Sequence, residues 1–193
     1  SLFDPESLLK SRPEADPQRM ACLIYTSGTT GPSRGVMLTH GNLLSNVASC
    51  HRRLGISVDD VYLCVLPIFH SFALTATLLL PMLTGATTVM MGRFSPAEVL
   101  DVVAREQVSI LLMVPPMYAL ALRALKDRPP GILRSARLCI SGGGPLPPGL
   151  EEGWKKATER RLINGYGLSE ASPVVAVNGP DVFKPGAAGL PLD

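Results

Sequence analysis

Residues 25–35 read YTSGTTGPSRG. The stretch closes one apolar run at 20–26 and precedes another that begins at Val36. Gly28, Gly31 and Gly35 permit sharp turns and bare backbone N–H groups, while Thr26, Ser27, Thr29 and Thr30 add short hydroxyl donors. Arg34 adds a positive charge. Donors of this kind suit a phosphate; the plain alternative is a flexible turn. A Walker A loop is excluded, because no glycine stands before a Lys-Ser/Thr pair at the GxxxxGK[ST] spacing.

Outward from this loop, strand-like and helix-like runs alternate. Strands are expected at 20–26, 61–66, 87–91, 108–114, 138–141 and 162–164. Helices are expected at 40–54, 71–83, 117–126 and 148–159, with Thr39 or His40 near the cap of the first. Ser95 ahead of Pro96 and Glu98 predicts a capping box that opens a further helix at 96–107. Strands apolar on both faces and separated by helices imply an α/β fold, a largely parallel β-sheet with helices on both faces. In such sheets ligands gather at the C-terminal ends of the strands.

Composition narrows the class. Hydrophobic residues make up 46% of the 193 residues and charged ones 18%, which supports a packed core and not a disordered chain. A formal charge of +2 without a Lys/Arg block gives no footprint for nucleic acid. Cys22, Cys50, Cys64 and Cys139 fall singly in apolar runs, as buried reduced thiols would, and not in zinc or disulfide spacing. Residues 71–92 carry no charge, but Pro81, Gly85 and several threonines favour a buried helix followed by a strand over a transmembrane segment. The N-terminal stretch is acidic and contains proline, so it is no signal peptide, and a cytoplasmic location is expected.

Three further loops concentrate unusual residues. In LPIFHS, at 66–71, His70 stands beside apolar neighbours and is either a structural histidine or a site residue. In SGGGPLP, at 141–147, Gly142, Gly143 and Gly144 bring bare backbone to a strand end, without the GxGxxG of a dinucleotide fold. In NGYGLSE, at 164–170, Tyr166 sits between Gly165 and Gly167, and Ser169 and Glu170 follow. A ring, a hydroxyl and a carboxylate in that order suit a base, a phosphate and a magnesium ion.

The order and separation of the four loops resemble those of the adenylate-forming enzymes: acyl- and aryl-CoA synthetases, adenylation domains of peptide synthetases, and beetle luciferases. YTSGTTGPSRGVMLTHGNL is similar to the family's phosphate-loop motif, LPIFHSFA to its histidine motif, and INGYGLSEASP to its nucleotide and magnesium motif. SGGGPL fits the glycine turn between them, and KPGAAGLPLD is similar to the stretch that follows. Fatty-acid–CoA ligases are the members it most resembles.

The resemblance implies activation of a carboxylic acid by ATP, release of pyrophosphate, and transfer of the acyl group to a thiol such as coenzyme A. Thr26, Ser27, Gly28, Thr29, Thr30 and Gly31 would wrap the β- and γ-phosphates, with Arg34 where members usually carry Lys. Tyr166 would stack on adenine, Asn164 would meet its amino group, and Gly142, Gly143 and Gly144 would let backbone lie along the base, beside Gly165 and Gly167. Ser169, in place of the usual Thr, would reach the α-phosphate, Glu170 would hold Mg²⁺, and His70 would orient the acyl carboxylate or close the pocket. Phe72, Ala73, Met113, Val114 and Pro115, with Gly142 and Gly165, would line a pocket for a fatty or medium-chain acid.

On this reading residues 1–19 are a linker, 20–171 a nucleotide-binding core and 172–193 the start of the next strand-and-loop region. The family's ribose-binding Asp and bridging Lys fall outside the sequence, so an internal piece of a larger ligase is expected, inactive alone and prone to self-association through uncovered apolar surface. A domain that loads a carrier protein and a non-catalytic nucleotide-binding module are the alternatives.

Overall fold

The computed structural model describes residues 16–26 and 33–193. Strands β1 (Met20–Thr26) and β2 (Arg34–Thr39) form an antiparallel hairpin of their own, with Thr26 opposite Arg34 at the tip. Helix α1 (His40–Leu54) follows at once. Its N-cap is Thr39: the Thr39 hydroxyl accepts from Asn42 N–H at 3.1 Å, and Asn42 Oδ1 accepts from Thr39 N–H at 3.0 Å. Gly55, left-handed at φ 57°, ends the helix.

The remaining chain builds one seven-stranded sheet in the order β4-β3-β5-β6-β7-β8-β9. Strands β3 (Val61–Cys64), β4 (Thr87–Met90), β5 (Ile110–Met113), β6 (Leu138–Ser141) and β7 (Leu162–Gly167) run parallel. Strands β8 (Val174–Val177) and β9 (Leu190–Pro191) add antiparallel at the far edge.

Helices cover both faces because successive strand residues point to opposite sides. Leu63, Leu111, Met113, Cys139 and Leu162 pack beneath α3 (Pro96–Arg105), α4 (Pro115–Ala124) and α5 (Leu150–Thr158). Trp154 and Tyr118 anchor that layer edge to face at 4.8 Å, and the Tyr118 hydroxyl donates to Leu111 O at 2.7 Å. Tyr62, Ile110, Leu112, Ile140 and Ile163 face the other way, toward α1 and the helix α2 over 71–84. That helix is α-helical at Ser71–Ala73, π at Leu74–Leu79 and α-helical again at Leu80–Thr84, where Gly85 caps it at φ 74°. The Thr77 hydroxyl bonds back to Ala73 O at 2.7 Å inside the widened turn.

Three expectations change. The strand at 20–26 does not join the parallel sheet; it pairs antiparallel with β2 in a two-stranded sheet of its own. Ser95 caps α3 without a side-chain hydrogen bond, so the capping box does not form, and Glu98 contributes only its charge in the first turn. Strand β7 runs on to Gly167 because β8 pairs with its last residues, so Tyr166 sits on a strand. Residues 71–92 form the broken helix and β4, and no described helix is long and apolar enough to cross a membrane.

Candidate functional site

A cleft of about 930 Å³ opens at the C-terminal ends of the parallel strands and runs down between the sheet and the α1–α2 layer. Its rim holds residues from all four loops: Thr26, His70, Gly142, Gly143, Gly144, Asn164, Gly165, Tyr166, Gly167, Ser169 and Glu170. Ser27, Gly28, Thr29, Thr30 and Gly31 lie outside the described residues. Arg34 is not among the residues that line the cleft; it pairs with Thr26 across the hairpin, and its carbonyl lies 3.5 Å from the Thr26 hydroxyl.

Each rim loop has a local reason for its shape. His70 is the N-cap of α2, and its Nδ1 accepts from Phe72 N–H at 3.3 Å. That bond leaves Nε2 to carry the hydrogen of a neutral ring. Gly142 is small for a reason: a Cβ there would meet the Phe72 ring at 3.0 Å. Gly143 takes φ 76°, which the turn after β6 requires. Gly167 passes so near Pro173 that a Cβ would lie 2.3 Å from the Pro173 carbonyl oxygen. Ser169 and Glu170 open a short 3-10 turn, and the Ser169 hydroxyl bonds the Ser71 hydroxyl at 2.9 Å.

Two observations bear on what the rim can hold. Asn164 lines the cleft, and its Oδ1 is buried without a hydrogen-bond partner, a state that costs free energy until a donor arrives. An amino group on a flat heterocycle is such a donor, and the exposed face of Tyr166 (51% exposed) is free for a ring to stack on. Among the described residues no cluster of three His, Cys, Asp or Glu side chains exists. Magnesium needs no such cage, since it takes one or two carboxylates and completes its shell from phosphate and water. Glu170, exposed on the rim, fits that donor set.

The floor is apolar. Phe72, Ala76 and Leu80 form a stripe along α2, and Cys50 and Leu54 face them from α1. Ile110, Leu112 and Ile140 supply the sheet side, while burial pushes the Cys50 thiol up to about 12, so it stays protonated. Of the expected acyl wall, Phe72, Gly142 and Gly165 line the cleft. Ala73, Val114 and Pro115 do not, and Met113 packs in the opposite core layer. The helical spacing of 72, 76 and 80 and the alternation within Ile110–Met113 carried the correct wall.

A family model described as AMP-binding enzyme matches residues 3–193. The chain belongs to that family. A 4-coumarate–CoA ligase from Solanum tuberosum is 38% identical over 184 residues, which cover 90% of this chain and 33% of that protein. A long-chain-fatty-acid–CoA ligase from Bacillus subtilis (strain 168) is 34% identical over 185 residues, 93% of this chain and 32% of that one. A malonyl-CoA ligase solved as a ternary product complex with methylmalonyl-CoA and AMP superposes with a TM-score of 0.85 at 31% identity, over 95% of this chain and 40% of its own. The chain thus spans about a third of the length of the curated relatives it matches. Its parallel sheet and helix layers are those of the acyl-CoA synthetase fold.

Proposed function

We propose that the chain is the nucleotide- and acid-binding part of an AMP-forming ligase that joins a fatty or medium-chain carboxylic acid to coenzyme A. In the first step a carboxylate oxygen bonds to the α-phosphorus of ATP, the bond to the bridging oxygen breaks, and pyrophosphate leaves. In the second, the thiol sulfur of coenzyme A bonds to the acyl carbon, its proton is lost, and AMP leaves.

The observation that carries this reading is one cleft with a polar rim and an apolar floor. Thr26 and the loop through Ser27, Gly28, Thr29, Thr30 and Gly31 grip the departing phosphates, and Arg34 adds charge nearby. Ser169 donates to the α-phosphate, Glu170 would hold Mg²⁺, and bound magnesium would supply neutralisation of phosphate charge. Asn164 meets the adenine amino group, Tyr166 stacks on the ring, and the Gly142–Gly143–Gly144 backbone lies beside it. His70 orients the attacking carboxylate with its Nε2 side.

The apolar floor supports the acid class. From Gly142 down to the level of Ile110 and Tyr62, set by the Leu138–Ile110 and Tyr62–Ile110 pairings, is four residues along the strands. That depth is about 13 Å at strand spacing, room for an extended medium-length chain. A cytoplasmic location and self-association of this stretch through exposed side chains such as Met37, Phe69 and Met82 complete the reading. The 193-residue chain alone is proposed to bind nucleotide without turning it over.

ATP–pyrophosphate exchange by the full-length parent, over fatty, aryl and amino acids, tests the reading. Exchange is expected with a fatty or medium-chain acid, and Glu170→Gln is expected to lower it about 100-fold. Exchange unchanged in that variant overturns the assignment of Glu170. Activity confined to amino acids, with no CoA product, points to carrier-protein loading instead. ATP binding without exchange points to a non-catalytic module, and exchange by the 193-residue chain alone overturns its proposed inactivity.

A further inference from the structure

Ser71 is a buried hydroxyl that the reaction above leaves without a task. It is 2% exposed at the head of α2, next in sequence to His70, and it lines the cleft. A buried hydroxyl costs free energy unless it is bonded, and a serine in a helix commonly satisfies itself on its own backbone. Ser71 instead bonds to Ser169, 98 residues later, at 2.9 Å. Ser169 stands on a short turn that is only partly buried, where a lone hydroxyl would otherwise rotate among several orientations.

We infer that Ser71 is a positioning residue that holds the Ser169 hydroxyl aimed at an anionic phosphate oxygen of the bound nucleotide. Either hydroxyl can donate in the pair, but an anion beside Ser169 selects one direction. Ser169 then gives its hydrogen to the anion, and its oxygen accepts the hydrogen of Ser71. The chain of two bonds polarises the Ser169 O–H and removes the entropy of a free rotor before the ligand arrives. This inference rests on the nucleotide reading of the cleft and adds a residue to it.

The test is a double-mutant cycle in the full-length parent, read by calorimetric AMP affinity and by ATP–pyrophosphate exchange. Ser71→Ala is expected to weaken AMP binding about fivefold and to lower exchange about tenfold, the effect of one oriented donor. In a Ser169→Ala background the same change is expected to alter either quantity less than about twofold, because the partner is gone. Ser71→Thr keeps the hydroxyl and is expected to restore both to within about threefold of the wild type. Thermal midpoints of all variants separate a folding defect from a site defect.

Equal losses from Ser71→Ala in both backgrounds, or none in either, overturn the inference. If the wild type binds AMP but exchanges with no acid, the proposed reaction fails while the affinity cycle still decides the role of Ser71. If the wild type binds no AMP, both fail.

Discussion

The two ends of the parallel strands are built on opposite principles. At their N-terminal ends, Asp60, Ser109 and Arg137 stand immediately before β3, β5 and β6 and lock to one another. Asp60 is 3% exposed, yet it accepts from Arg137 Nε and from the Ser109 hydroxyl at 2.7 Å each and from Ser57 N–H at 2.8 Å. Arg137 also donates to Gly55 O at 2.9 Å, which ties in the end of α1. At the C-terminal ends the balance differs: Asn164, which lines the cleft, keeps a buried side-chain oxygen without a partner, as does its register partner Ser141, which is fully buried and does not line the cleft. The satisfied end holds the sheet in register; at the other end the Asn164 oxygen stays open to a donor that enters the cleft.

Changes at the closed end carry the largest stability effects. Asp60→Ala strands a guanidinium and a serine that have lost their acceptor, and is expected to cost about 3 kcal/mol. Chemical unfolding followed through Trp154, the single tryptophan and fully buried, measures it. A cost below about 0.5 kcal/mol, the range of ordinary surface changes, would remove the contrast between the ends.

Acid reports on the same group with a smaller effect. The Asp60 carboxyl lies in a buried setting that by itself raises its pKa, but the Arg137 and Ser109 hydrogen bonds outweigh that and hold it at about 2, below its usual 3.8. A carboxyl depressed on folding contributes stability above its unfolded pKa and loses it as pH falls through the folded one. About 2 kcal/mol is therefore expected to disappear between roughly pH 4 and pH 2. Denaturant midpoints measured across that window should fall in the wild type and stay flatter in Asp60→Asn.

The open end should show the reverse balance. Gly142→Ala pushes a methyl to 3.0 Å from the Phe72 ring, which sits at the junction of rim and floor. A stability cost of only about 1 kcal/mol is expected, since the ring can give. Nucleotide and acid binding should suffer more than stability does, and calorimetry beside unfolding curves decides it. Equal damage to both would mean that the glycine serves packing alone.

Much of the fold was legible. The helix at 40–54 and the strand at 138–141 stand where periodicity places them, because each combines an unbroken apolar pattern with clear end signals. The hairpin was less legible: β2 is half exposed and lies within a motif whose glycines and hydroxyls read as loop. Ser95 and Glu98 have the right spacing for a capping box, but spacing does not force a side chain into the bond. In the candidate site, His70, Asn164, Tyr166, Ser169 and Glu170, singled out from separate motifs, line one cleft. Ser71 escaped notice because nothing local to it announces a partner 98 residues away.

Local pattern and motif order therefore determined the element types, the α/β class and the membership of the AMP-binding family, since periodicity and turn chemistry act over a few residues. Tertiary structure decided which face of the sheet opens into the cleft and which strand residues line it. It also seated the hairpin outside the parallel sheet and brought two serines from opposite loops within bonding distance. Those outcomes depend on how strands register and layers pack across distant segments, and pairwise contact of that kind has no local trace in the chain.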